Sequence, residues 1–245
     1  MKNIISIIFI FIGSNIAFSQ NYQFGIKGGP SMGTQSWNGG GASTNSQLWA
    51  YNTSVFVESG DVDVKSRLYA QLGWHVRGSA TRFNRTAGYT TTGELVEIPS
   101  SKLEYRFNNL SLEIGARRNG IKNNSNSHIY YLVGIRADYT ISTNLAKEGS
   151  SYYYFSAMQD AYVRKFNYGL TIGGGYDFRL NDMIGGFLEL TIMPDLSKQY
   201  YTPPSPRVWD PFNRQYYSVG EQSIKNTTIE LSLGFRFLRK IEYVD

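Results

Sequence analysis

The stretch from Ile224 to Phe237, near the C-terminal end of the chain, constrains the fold more than any other feature. Apolar and polar residues alternate over its last ten positions. A repeat of two residues predicts a β-strand, because a helix would repeat every 3.6 residues. One face is apolar and the other carries Glu230 and Arg236, which suits a strand between lipid and a polar lumen. The paired aromatics Phe235 and Phe237 at its end are typical of the last strand of an outer-membrane barrel.

The same alternation recurs seven more times, so we predict an all-β fold: a closed, eight-stranded, antiparallel up-and-down transmembrane β-barrel. Four predicted connections are long and three are short, and they alternate along the chain. With the N-terminus in the periplasm, this order predicts short periplasmic turns and long extracellular loops. The predicted strands cover residues 22–32, 47–58, 65–79, 102–118, 128–142, 162–179, 183–196 and 224–237.

Many of the residues that the alternation places on the inward face are charged. This distinguishes the predicted membrane barrel from a soluble barrel. A soluble lipocalin-like barrel or a sandwich, the alternative fold, would put its apolar face inward. Eight strands leave room only for side chains, and buried charges must pair to offset the cost of leaving water. We therefore expect a lumen plugged by arginine–carboxylate pairs, with a polar path for a small solute as the alternative. The predicted inward network is Arg67, Arg77, Glu113, Arg117, Arg136, Asp138, Asp177, Arg179, Glu189, Glu230 and Arg236.

Composition and the first residues agree with an exported membrane protein. Of 245 residues, 15% are aromatic and only 18% are charged. A positive start, a short apolar run and small residues before the cleavage point predict a signal peptide over residues 1–19, with an N-terminal membrane anchor as the alternative. Residues 20–245 then form the barrel domain. The net charge of +5 is scattered, so we expect outer-membrane lipids and lipopolysaccharide as partners and no nucleic acid.

Little in the sequence indicates catalysis, a metal or a cofactor. The chain has two histidines, His75 and His128, and no cysteine, which makes a zinc site improbable. We expect His75 to face the lumen beside Glu113, and His128 to be a surface residue near a periplasmic turn. A barrel hydrolase of the lipid A deacylase type would need Ser, His and Glu on the outward surface. We predict no catalytic residue, no metal and no cofactor.

Aromatic residues in the predicted external loops are candidates for partner contacts, because exposed Tyr and Trp favour binding. The alternative is that they belong to the outer aromatic girdle at the headgroup level. Trp209 lies mid-loop among several prolines and is the better candidate for a contact. The full set of candidate loop contacts is Tyr153, Tyr154, Trp209, Tyr216 and Tyr217.

Several short motifs resemble the PorT-like outer membrane β-barrel family of Bacteroidota. These motifs are Phe24-Gly25-Ile26-Lys27-Gly28-Gly29, Lys102-Leu103-Glu104-Tyr105 with the strand after it, residues 169–176 and Leu233-Gly234-Phe235-Arg236-Phe237. The chain departs from the family in two ways. Glu113-Ile114 is followed by Gly115 where the family has Pro, and residues 238–245 continue past the final aromatic. The resemblance implies the fold and the outer membrane, and the family's namesake takes part in type IX secretion.

Three functions remain open from the sequence. The first is a non-enzymatic outer-membrane barrel whose external loops bind a partner or ligand, as an accessory of a secretion or envelope assembly. The second is a porin-like channel for small solutes, and the third is a lipid-modifying barrel enzyme that uses His75.

Overall fold

The computed structural model describes residues 21–38, 45–60, 64–83, 86–89, 95–98, 100–124, 127–145, 160–181, 183–210 and 214–240. The signal peptide expected at residues 1–19 lies outside them, as do Tyr153 and Tyr154. Eight long strands dominate the described chain. They are β1 (Asn21–Asn38), β2 (Leu48–Ser59), β3 (Ser66–Phe83), β4 (Ser101–Asn124), β5 (Ser127–Thr143), β6 (Phe166–Arg179), β7 (Ile184–Pro194) and β8 (Gln222–Lys240).

The eight strands form a closed ring in chain order. Each pairs antiparallel with the next, and β1 also pairs with β8 from Asn21↔Lys240 to Asn38↔Ser223. Because the ring is closed, each of the eight strands is paired on both sides along its membrane-spanning part. The predicted up-and-down barrel is therefore confirmed. Within the described ranges, no helix is both long and apolar enough to cross a membrane.

Strict alternation gives the barrel two faces. On β2, the burial of side chains alternates at every position from Leu48 to Val57. Outward residues such as Ile26, Val55 and Ile135 are more than half exposed, and they form the lipid-facing belt. The inward side is lined by buried polar and charged residues. Val76, which we expected to face outward, is instead buried against Leu48 and Ala50 near the outer end.

Several strands are longer than alternation predicted. β1 was predicted to end at residue 32 but continues to Asn38, because residues 33–38 pair with residues 223–228 of β8. β8 runs three residues beyond Phe237. The hairpin between β4 and β5 is also longer, with irregular register after Asn119. A stretch rich in Gly, Ser and Thr forms a loop only where its backbone has no strand to pair with. Here the first residues of β8 pair with it, so it continues β1.

The extracellular connections contain β-structure of their own. The connection between β3 and β4 holds a small hairpin, Thr86–Tyr89 with Leu95–Ile98. The connection between β7 and β8 first adds Tyr200–Thr202 to β8 and then forms a second hairpin, Ser205–Asp210 with Gln215–Val219. Pro206 lies in this hairpin where the register shifts, a position that tolerates a residue without an N–H.

An apolar cluster covers the extracellular end of the lumen. Phe107, Leu145, Tyr200 and Ile224 are each at most 5% exposed and pack together, with Trp37 and other partly buried residues around them. Packed apolar side chains therefore fill this part of the lumen.

Candidate functional site

Arg117 is the centre of the ion-pair cluster in the periplasmic half of the lumen. Its Nη1 lies 2.5 Å from Glu58 Oε1, and its Nη2 lies 2.6 Å from Glu189 Oε2. Glu189 also accepts hydrogen bonds from Lys27 Nζ at 2.5 Å and Tyr130 Oη at 2.9 Å. All of these side chains are buried. Burial makes each partner necessary, because an uncompensated charge here would be very costly.

A third acid of this cluster, Asp177, is contacted by side chains from three strands. Arg67 Nη2 and Arg236 Nη1 each lie 3.1 Å from Asp177 Oδ2. His128 Nε2 lies 3.1 Å from the same oxygen and is 7% exposed, so the prediction that His128 is a surface residue was wrong. Arg67 also reaches Glu58, at 3.2 Å. The three acids thus connect all eight strands across the lumen, because Lys27 on β1 and His128 on β5 also contact them.

Aromatic rings fill the space around Arg117. Phe56, Tyr69, Tyr130 and Phe187 form a buried cluster with Leu132, and the Arg117 guanidinium lies 4.2 Å from the centre of the Tyr130 ring. Several inward glycines make room for these rings. A Cβ at Gly234 would lie 2.2 Å from the Phe187 ring, and one at Gly175 would lie 2.4 Å from Tyr130 Oη. The rings and the ion pairs together leave the periplasmic half of the lumen filled.

A smaller ion cluster lies nearer the extracellular end. Arg136 binds both Asp138 and Asp195, and its Nη2 is 2.6 Å from Asp195 Oδ1. Arg77 Nε lies 3.3 Å from Asp138 Oδ2. Asp195 also accepts hydrogen bonds from the backbone and side-chain nitrogens of Asn226. This cluster holds β3, β5 and β8 to the segment that follows β7.

Glu113 was expected to pair with an arginine, but its hydrogen bonds come from uncharged donors. Tyr69 Oη donates at 2.5 Å, Gln71 Nε2 at 2.9 Å and Thr171 Oγ1 at 2.8 Å. On β3 the residue directly opposite Glu113 is Gln71. On β5 the opposite residue is Arg136, but its guanidinium binds Asp138 and Asp195 instead. Three neutral donors satisfy this buried carboxylate instead.

His75 also has a different partner from the one we expected. Its Nδ1 lies 2.7 Å from Glu230 Oε1, not beside Glu113. The Cβ that Gly73 lacks would lie 2.7 Å from both His75 Nε2 and Ser54 Cβ, so the serine is close to the free ring nitrogen. Among the described residues, neither His75 Nε2 nor Ser54 Oγ has a hydrogen-bond partner. The order Ser, His, acid is that of a hydrolytic triad, but the three residues are at most 4% exposed and lie inside the lumen.

The structure brings most of the predicted inward network together in the lumen. Ten of its eleven residues are buried, and Arg179 is half-buried at the periplasmic mouth, in a shallow depression that His128 and Arg236 also line. Sequence reasoning missed Lys27, Glu58 and Asp195. The alternation of apolar and polar residues on β1 and β2 places Lys27 and Glu58 on the inward face, so both could have been predicted. Asp195 could not, because it follows Pro194, where β7 and its alternation end. No group of residues suited to a metal ion occurs in the described ranges.

The predicted loop contacts divide between described and undescribed residues. Trp209 and Tyr216 lie opposite each other in the hairpin Ser205–Asp210/Gln215–Val219, with ring centres 5.0 Å apart. Arg207 lies over the Tyr216 ring at 4.8 Å. Trp209 is 50% exposed and Tyr216 is 58% exposed. Tyr217 follows Tyr216 on the second strand of the hairpin, and the structure does not describe its side chain. Tyr153 and Tyr154 lie outside the described residues.

Comparison with known proteins gives one family match. The family model for the outer membrane protein beta-barrel domain matches residues 18–194. A search of curated proteins finds no match. Solved structures with a similar arrangement include OprG from Pseudomonas aeruginosa (12% identity, 88% of this chain and 95% of that chain, TM-score 0.47) and Neisserial surface protein A (9% identity, 91% and 98%, TM-score 0.43). Ail of Yersinia pestis, in complex with the heparin analogue sucrose octasulfate, matches at 11% identity over 88% and 98% with a TM-score of 0.38.

Proposed function

Because the chain belongs to the outer membrane protein β-barrel domain family, we propose that it is a non-enzymatic outer-membrane protein whose barrel anchors an external binding hairpin. We define the binding hairpin as Ser205–Asp210 with Gln215–Val219. The observation that carries this proposal is the face formed by Arg207, Trp209 and Tyr216. This face is a stack of one cation and two exposed aromatic rings.

The structural setting of the binding hairpin supports a role in binding. Its two strands form a sheet of their own, so the outer edge of each strand is unpaired. A two-stranded hairpin alone is marginally stable in water, and exposed edges invite pairing with another chain. Trp, Tyr and Arg are the residue types that dominate binding energy at protein interfaces. A hairpin that presents all three is suited to contact a partner.

The plugged lumen supports an anchor rather than a conduit. Two ion clusters and a group of aromatic rings fill the interior, and packed apolar side chains cover its extracellular end. The pair His75–Glu230 is enclosed, which argues against a lipid-modifying enzyme that uses His75. The resemblance to PorT-like barrels makes a protein of a secretion or envelope assembly the partner class that we propose first.

Photocrosslinking in intact cells tests the proposal. A benzophenone amino acid at Trp209 should give a defined covalent adduct with another protein, whereas the same probe at the lipid-facing Val55 should give none. Truncation of hot-spot residues costs about 2 kcal/mol or more, which is roughly a 30-fold loss of affinity. Substitutions R207Q and Y216A should therefore abolish the adduct while the barrel stays folded. An adduct that persists in this double variant would refute the role of the hairpin face.

A further inference from the structure

A second cation–aromatic cluster lies on the outer wall of the barrel, at the extracellular boundary of the apolar belt. The Arg164 guanidinium lies 5.0 Å from the centre of the Tyr201 ring, and Lys198 Nζ lies 4.8 Å from the same centre. Lys165, next to Arg164, is also exposed. We name Arg164, Lys165, Lys198 and Tyr201 the boundary cluster. Two cations over one ring are each attracted to its face, although they repel each other.

The position of the boundary cluster relative to the membrane follows from the pairing of residues 164–168 with residues 196–199. Phe166 is 64% exposed and Leu196 is 49% exposed, and both face outward with the lipid-facing belt. Arg164 lies two residues before Phe166 and Lys198 two residues after Leu196, so both lie on the extracellular side of these apolar residues. Backbone hydrogen bonds hold the segments side by side, from Leu196 N to Tyr168 O at 3.0 Å and from Arg164 N to Gln199 O at 2.9 Å. The cations therefore begin where the apolar belt ends.

The charges around the boundary cluster leave cationic groups available. Lys198 pairs with Glu221, which is about as exposed as Lys198 itself. Asp160, four residues before Arg164, accepts a hydrogen bond from Thr143. With three cations against these two acids, the cluster carries a net positive charge at the level of the headgroups. Cations next to the membrane surface attract anionic headgroups, and arginine suits phosphate through its paired donors.

We infer that the boundary cluster binds the phosphate group of an outer-leaflet lipid whose acyl chains lie along Phe166 and Leu196. The ligand class is a phosphorylated lipid of the outer leaflet. Arg164 and Lys198 would bind the phosphate oxygens, and Tyr201 would hold the two cations close together. This inference is separate from the proposed partner binding, because it uses residues on the barrel wall rather than on the binding hairpin.

Native mass spectrometry of the folded barrel, titrated with diphosphoryl lipid A, tests the inference. The comparison ligand is lipid A that lacks its phosphates but keeps the same acyl chains. At about 1 kcal/mol for each cation, R164Q with K198Q should weaken binding of the diphosphoryl form roughly 30-fold. The control variant, K65Q with R118Q, removes two exposed cations near the periplasmic end and should bind like the wild type. The charge-retaining variant R164K with K198R should keep most of the affinity.

Three results would overturn the inference. One is equal binding of the phosphorylated and phosphate-free lipids, which would assign affinity to the acyl chains alone. Another is an equal loss in the control variant, which would indicate general charge attraction. The third is full displacement of the lipid by inorganic phosphate at low millimolar concentration, which would indicate a site for soluble phosphate. Heat-modifiable migration on gels checks that each variant is folded.

Discussion

Replacing Arg117 with methionine should strongly destabilise the barrel. The substitution keeps most of the volume but removes the cation that lies 2.5 Å from Glu58 and 2.6 Å from Glu189. Breaking a buried ion pair typically costs about 3–5 kcal/mol. Each acid keeps another cation, since Glu58 still has Arg67 at 3.2 Å and Glu189 still has Lys27 at 2.5 Å. We therefore expect the lower end, about 3 kcal/mol, or roughly a 100-fold change in the folding equilibrium.

Equilibrium unfolding in urea, with the barrel in lipid vesicles and tryptophan fluorescence as the signal, measures this loss. The matched control is Arg118→Met, because Arg118 is the next residue on β4 and faces outward. Substitutions at such exposed positions usually change the free energy of unfolding by less than about 0.5 kcal/mol. The double variant R117M with E58L should recover part of the loss, because it removes one of the two acids that lost Arg117, while Arg67 keeps Asp177 at 3.1 Å. If R117M and R118M unfold at the same urea concentration, the lumen ion pairs do not stabilise the barrel as we reason.

Two further substitutions probe the packing and the polar contacts of the lumen, by the same unfolding assay. Gly234→Ala places a Cβ 2.2 Å from an aromatic ring and should cost about 1–3 kcal/mol, whereas Gly185→Ala, whose nearest neighbour atom would be 3.5 Å away, should be close to neutral. Equal stability of the two variants would contradict the tight fit of the ring. Glu230→Gln weakens the buried contact with the histidine and should cost about 1–3 kcal/mol, whereas the surface variant Glu221→Gln should cost less than about 1 kcal/mol. A neutral Glu230→Gln would show that this contact contributes nothing to stability.

Alternation was enough to predict the ring of eight strands and the inward position of most lumen charges. Each strand carries its own signal, since a residue such as Arg117 or Glu189 falls on the polar face of its strand whatever its partner is. The partners were not predictable in the same way. Glu113 is satisfied by uncharged donors and His75 reaches Glu230, because contacts across the lumen depend on the stagger between distant strands.

Loop composition was a weaker guide than strand alternation. The stretch from Gly33 to Asn38 looks like a loop but belongs to β1, because β8 is long enough to pair with it. The binding hairpin was missed for a related reason, since Pro206 and the shortness of its two strands obscure the alternation of apolar and polar residues. The aromatic residues Trp209 and Tyr216 were still identified as candidates, because their residue type and setting do not depend on the details of pairing.

Conductance of the purified wild-type barrel in planar lipid bilayers most directly tests the central claim, that the barrel is a plugged anchor and acts through its external face. We expect no discrete conductance steps across a range of applied voltages, because ion pairs and packed rings fill the lumen. Reproducible steps whose size changes in the R117Q variant would contradict the claim and would establish a path for small solutes through the lumen.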